Sequence, residues 1–130
     1  SMLESEFPGI LEMRSETVPI TQTIQADAVR VVDIACYPEH PGIYKEGERA
    51  FVDPSGTTQL LFYNTDGNLQ CEILRWDEEW SLPVSSSADI DVQMQITGNP
   101  QDSLRNGEIV IKTDLLMNTV TKTEKGKNMI

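Results

Sequence analysis

Residues 57–84 read TTQLLFYNTDGNLQCEILRWDEEWSLPV, and this stretch decides the fold. Two runs rich in β-branched, aromatic and aliphatic residues flank Asn64-Thr65-Asp66-Gly67. Glycine takes the φ > 0 backbone that closes a tight hairpin, and Asn and Asp side chains hydrogen-bond their own turn. The stretch therefore predicts a hairpin, with one arm over residues 57–63 and the other over residues 68–76.

Working outward, the same strand-and-turn grammar recurs. Residues 89–97 (DIDVQMQIT) place Ile90, Val92, Met94 and Ile96 on one face and Asp89, Asp91, Gln93 and Gln95 on the other. That is the pattern of a half-buried antiparallel strand, and Gly98-Asn99-Pro100 is expected to end it. Residues 108–120 (EIVIKTDLLMNTV) predict a long last strand with Ile109, Ile111, Leu115 and Met117 facing one way and Thr113 interrupting. A helix competes there, but β-branched content and period two favour the strand. Upstream, residues 17–25 put Val18, Ile20 and Ile24 on one side with Gln22 interrupting. Pro19 lacks a backbone donor and marks that strand as an edge or a bulge.

Residues 29–36 predict a further strand, residues 49–53 a short one, and residues 80–84 a short strand or turn. Between them, residues 38–47 (PEHPGIYKEG) read as a loop, Pro54-Ser55-Gly56 as a turn, and Ser85-Ser86-Ser87 as a polar loop. The expected fold is all-β: an antiparallel β-sandwich or partly open barrel of about seven to eight short strands. No βαβ alternation and no solenoid repeat is present.

Length and composition bound the rest. At 130 residues with 24% charged residues, the chain is one ordinary globular domain. No apolar run is long enough to cross a bilayer as a helix. The net charge of −11 argues against nucleic acid or an anionic membrane surface as partner. The one local basic run, Lys122, Lys125 and Lys127, reads as a solvated tail. Ser1-Met2 has the look of a tag-cleavage remnant, and residues 1–13 are expected to be that remnant plus a leader, with the domain over residues 14–123. Cys36 and Cys71 sit in apolar runs and are expected to be reduced and buried; a disulfide would need their Cα atoms about 5–6 Å apart.

Candidate chemistry is sparse. Asp77-Glu78-Glu79 between Trp76 and Trp80 offers carboxylates beside aromatic rings, the parts of a glycosidase. Catalytic carboxylates must converge across a cleft, however, and adjacent ones fan out along the chain. The plainer reading is a charged turn whose tryptophans anchor the core or cover a sheet edge. His40, the one histidine, has no partner at ligand spacing, so no zinc site is expected. No calcium loop, phosphate-binding glycine loop or Gly-x-Ser-x-Gly elbow is present. No catalytic residue, metal or cofactor is therefore expected. The remaining route to function is an interaction surface, for which Trp76, Trp80, Tyr63, Asp77, Glu78 and Glu79 are the candidates, with Tyr37 and Tyr44 as further aromatic anchors that could equally belong to the core.

The order of these features resembles one bacterial family. A strand VRVVDIACYPE precedes a loop and a strand ending in Gly; then come LLFYNTDGNLQC, WDEEWSLPV, the alternating ADIDVQMQI and LRNGEIVIKTDLLMNTVT. This arrangement, over roughly residues 18–123, resembles the SPOCS domain of spore coat- and cortex-associated proteins, which occurs in tandem and beside LysM domains. The insertion of Pro54-Ser55-Gly56 departs from the family's usual Val-x-Val-x-Gly strand. The resemblance implies a non-enzymatic structural and protein-interaction module of a spore-envelope assembly protein, on the mother-cell side of the spore surface. Its implied partners are other spore- or cell-envelope proteins or sister domains of the same chain, and residues 124–130 would be a linker to a further domain. The alternative is a carbohydrate-binding module that stacks glycan rings on Trp76, Trp80 and Tyr63.

Overall fold

The computed structural model describes residues 10–123; the expected tag remnant, most of the leader, Lys125, Lys127 and the linker at residues 124–130 lie outside the described residues. The described residues form strands and their connections, with no helix. In order these are β1 (Ile10–Gln25), β2 (Ala28–Pro38), β3 (Gly42–Glu46), β4 (Arg49–Asp53), β5 (Ser55–Asn64), β6 (Leu69–Asp77), β7 (Trp80–Pro83), β8 (Asp89–Arg105) and β9 (Glu108–Thr123). They form three antiparallel sheets, ordered β1-β9-β8, β2-β5-β6 and β3-β4-β7. The strands are not uniformly short, since β1, β8 and β9 run 16, 17 and 16 residues.

Two layers result. The long sheet β1-β9-β8 forms one, and the two short sheets lie end to end to form the other. The alternation along β9 explains this directly: Ile109, Ile111, Thr113, Leu115, Met117, Thr119 and Thr121 are all buried on one face. Leu60 and Phe62 of β5 pack on Ile109 and Ile111 at one end. Ala50 and Val52 of β4 and Leu82 of β7 pack with Ile20, Val92, Leu115 and Met117 at the other.

The residues that interrupt the sequence pattern fall along the boundary between these two apolar clusters. Ile20 pairs with Thr113, and Gln22 with Ile111. The register of β8 against β9 shifts between Thr97 and Gln101, opposite the same stretch of β9. Gly98-Asn99-Pro100 therefore does not end β8. It is absorbed as a bulge, because pairing with β9 resumes at Gln101. Pro54-Ser55-Gly56 is likewise no hairpin turn: Pro54 is buried, and with it as the one intervening residue the chain leaves β4 and enters β5 in another sheet, the two strands not pairing with each other.

At this boundary Gln22 reaches across the sandwich. Its carboxamide oxygen accepts the hydroxyl of buried Thr58 at 2.6 Å, and its nitrogen donates to the Arg75 carbonyl at 3.4 Å. Gln22→Ala leaves that hydroxyl and carbonyl without these partners, so it should cost about 1–3 kcal/mol in urea unfolding. The double variant Gln22→Leu/Thr58→Val removes both polar groups and should cost much less; an equal or larger loss would show that the pair contributes nothing as a pair.

Two further expectations are corrected and one is met. The segment 38–47 is not all loop: its Pro and Gly content hid β3, whose Tyr44 stacks on Phe51 of β4 with ring centroids 5.1 Å apart. β1 begins at Ile10, within the segment expected as leader, since residues 10–13 pair with the end of β9. Pro19 does sit on an edge strand, because β1 pairs only with β9.

Candidate interaction surface

The hairpin β5–β6 is closed by its turn chemistry. The Asn64 side chain accepts from the backbone N–H of Asp66 at 3.0 Å and of Asn68 at 2.9 Å, and Gly67 takes φ 83°. Pairing then runs without a register shift from Tyr63↔Leu69 to Ser55↔Asp77. This register sorts the side chains. Gly56, Thr58, Leu60 and Phe62 point inward, while Thr57, Gln59, Leu61 and Tyr63 face out beside Arg75, Ile73, Cys71 and Leu69.

The expected site residues are not brought together. Trp76 is 5% exposed, and its ring lies in the core. It is inward because it pairs with Gly56, whose missing side chain leaves room for the indole. It presents no ring to a partner. Trp80 lies in a different sheet, opposite Val52 on β4, half-buried, with its indole N–H donating to the Glu16 carboxylate. Asp77 ends β6, and Glu78 and Glu79 form the crossover to β7, where the Glu78 N–H is held by the Pro54 carbonyl at 2.8 Å. Asp77 and Glu79 are exposed and Glu78 is half-buried. Glu79 lines a small pocket with its neighbour Trp80 and with Tyr44, Phe51 and Asp53, while Asp77 and Glu78 lie outside it, so the three carboxylates do not converge on one cleft. Tyr63 sits at the far end of the hairpin. It is seven residues along β5 from Gly56, or roughly 24 Å at about 3.4 Å per residue.

What the register does bring together is an apolar outer face on β2-β5-β6. Across the three strands the outward rows are Tyr37–Thr57–Arg75, Ala35–Gln59–Ile73, Asp33–Leu61–Cys71 and Arg30–Tyr63–Leu69. Tyr37 is 54% exposed, Leu69 53% and Ile73 65%. Cys71 is also exposed rather than buried, because no second layer covers this side of β6; Cys36 is half-buried, and both are free thiols. Charge rims the patch. Arg30 stands over the Tyr63 ring, 5.2 Å from its centroid. Arg75 pairs with Glu39 at 3.0 Å. Hydrogen bonding to Arg75, and then its charge, holds the Glu39 carboxyl below the usual carboxylate range. Both side chains are exposed, so solvent screens the pair.

Tyr37 is one of the aromatic residues the sequence offers as a contact anchor; Leu61, Leu69, Cys71, Ile73 and Ala35 are not singled out by the sequence as surface residues. One signal pointed to them. The run LLFY in β5 is apolar on consecutive positions, so it is apolar on both faces, whereas a solvated antiparallel sheet alternates.

Elsewhere, His40 is exposed in the loop after β2, and Asp27, Asp33, Asp53, Asp89 and Asp91 are exposed. Among the described residues no three His, Cys, Asp or Glu side chains converge as metal ligands. No helix of the described residues is long and apolar enough to cross a membrane.

Against known proteins, the chain stands apart. No family model, no curated protein and no solved structure matches it.

Proposed function

We propose that this domain is a non-catalytic protein-interaction module of a bacterial spore-envelope assembly protein, and that its working surface is the outer face of β2-β5-β6. The observation that carries the interaction reading is the exposure of Tyr37, Leu69 and Ile73 on one sheet face together with Leu61, Tyr63 and Cys71. Contiguous apolar patches with a polar rim mark contact sites, and aromatic and arginine side chains are the usual anchors. The envelope setting is supported by the resemblance of the strand order to the SPOCS pattern. The partner is then another envelope protein or a sister domain, met on the mother-cell side of the spore surface.

The test is retention of envelope proteins from sporulating cells on immobilised domain, with Leu61→Asp compared against Asp91→Asn on the opposite layer. Leu61 is partly covered and faces out, so the aspartate places a charge in the middle of the patch while the inward ladder is kept. Retention should fall about tenfold or more for Leu61→Asp, a change of about 1.4 kcal/mol, and stay unchanged for Asp91→Asn. Equal retention by both variants, or none by the wild type, would overturn the reading.

A further inference from the structure

Among the described residues the three sheets leave six edge strands, β1, β8, β2, β6, β3 and β7. Exposed edges invite pairing with another chain, and proteins blunt them with proline, bulges, lysine or short length. Five of the six are blunted. β1 carries Pro19 and is tied to β7 through Glu16 and Trp80. β8 is bulged at Gly98-Asn99-Pro100 and lined by Asp89, Asp91 and Asp102. β2 has two register shifts. β3 is five residues long, and its Lys45 folds back onto the carbonyls of Ser86 and Ala88. β7 is four residues long and includes Pro83. β6 is the least protected: it runs nine residues in unbroken register with no Pro, Gly or Lys, its charges Glu72, Arg75 and Asp77 are of both signs, and among the described residues it pairs with β5 alone.

The direction of its free backbone groups follows from the ladder. Asn64 N–H donates to the Asn68 carbonyl at 2.9 Å, and Glu78 N–H to the Pro54 carbonyl at 2.8 Å, so even-numbered residues of β6 form the hydrogen-bonded pairs with β5. The odd ones, Leu69, Cys71, Ile73 and Arg75, direct N–H and C=O away from β5. The Arg75 carbonyl agrees, since Gln22 meets it from the other layer.

We infer that β6 is a self-pairing edge: two copies of this chain join β6 to β6, antiparallel, about a two-fold axis at Cys71. In that register Cys71 faces Cys71 and Leu69 faces Ile73, all odd residues with outward backbone groups. Gln70 of one copy faces Glu72 of the other, an amide donor opposite a carboxylate. Arg75 comes to lie opposite Gly67, past the end of the new ladder, since its carbonyl meets Gln22 and the Gly67 N–H donates to the Asn64 carbonyl; there its guanidinium, paired with Glu39 in its own chain, comes beside the Asp66 carboxylate of the other turn. The neighbouring registers are worse. An axis at Glu72 opposes two carboxylates across a close pair. An axis at Ile73 puts Cys71 opposite Arg75, whose carbonyl Gln22 already meets. The result is one sheet continuous through both copies, β2-β5-β6-β6-β5-β2, with the apolar outer faces side by side.

This inference rests on reading β2-β5-β6 as the contact sheet, and it is tested separately from the outer face. Cys71→Pro removes an N–H that faces outward and takes nothing from the β5 ladder, and proline is tolerated on an edge strand in that orientation. Sedimentation of the wild type from micromolar to millimolar concentration should show a monomer–dimer equilibrium, and Cys71→Pro should need at least about tenfold higher concentration to dimerise. A wild type that stays monomeric, or a folded Cys71→Pro that dimerises equally, overturns the inference while leaving the outer-face reading intact. A second measurement does not depend on Cys71→Pro folding. Diamide takes two electrons and two protons from a pair of thiols, becoming the hydrazine as the S–S bond forms. Facing residues in a hydrogen-bonded pair lie about 5.5 Å apart at Cα, within disulfide reach. Oxidation should therefore link wild-type and Cys36→Ser chains into dimers but not Cys71→Ser chains. With both native thiols changed to Ser, a Leu69→Cys chain mixed with an Ile73→Cys chain should link, and either alone should not. Equal linkage of the single species overturns the register.

Discussion

Gly56→Ala should lower stability by about 3 kcal/mol, at or above the upper end of ordinary overpacking, and its thermal and urea midpoints should fall well below those of the wild type. A Cβ at Gly56 would stand 2.4 Å from Cζ2 and 2.8 Å from Cε2 of Trp76, and 2.4 Å from the carbonyl oxygen of Tyr37. A rotamer change does not relieve the ring contact, because Trp76 lies in one buried cluster with Ile20, Val52, Leu82 and Leu115. The carbonyl contact cannot yield without moving β2, because Pro38 pairs with Gly56 from that side. Trp76→Leu placed in the Gly56→Ala background should rescue only the share due to the ring. Full rescue would show that the Tyr37 carbonyl moves freely, and an unchanged midpoint for Gly56→Ala would show that the whole contact relaxes.

Trp76→Ala should cost about 3–5 kcal/mol, the range for truncating a buried aromatic side chain. Trp76 belongs to β6, yet its ring packs into the cluster beneath β3-β4-β7, so its loss uncouples the two short sheets. Trp76→Phe should cost less than its lost volume suggests. The indole Nε1–H is buried without a hydrogen-bond partner, and phenylalanine removes that unsatisfied donor. The measurement is equilibrium unfolding of both variants. A Trp76→Ala protein as stable as the wild type would contradict its place in the core, and a Phe variant as damaged as the Ala variant would mean the donor carries no penalty.

Much of the fold was written in period two. The faces of β8 and β9 follow the alternation of Ile90 to Ile96 and of Ile109 to Met117, and residues 49–53 coincide with β4. The errors share a cause. Pro54-Ser55-Gly56 and Gly98-Asn99-Pro100 have turn chemistry locally, but both lie where the architecture changes from one short sheet to the next. There a bulge or a sheet switch uses the same residues that a reversal would. Gln22 and Thr113, which read as flaws in their strands, lie along that same boundary. β3 was hidden because two prolines and two glycines in residues 38–47 outweigh the short GIYKE run, which is held by its pairing with β4.

The site was less legible. Trp76 and Trp80 are neighbours in sequence, but the chain crosses from one sheet to another between them, and only one of the two rings reaches the surface even in part. Of the candidates, Tyr63 and Tyr37 lie on the apolar outer face. Their companions Ile73 and Leu69 belong to an edge strand, where hydrophobic residues do not imply burial. Which face of a hairpin is covered depends on the layer above it, and that layer comes from residues more than thirty positions away.

The pairing of Ile10 with Thr123 has a mechanical consequence. The described chain enters and leaves the domain side by side, at one end of the longest ladder. Tension on the flanking segments therefore pulls β1 and β9 apart across their hydrogen bonds, which lie perpendicular to the strands and are loaded one after another rather than together. In an array of such domains under load, each would peel open from its root at low force and lengthen the array, yielding instead of snapping.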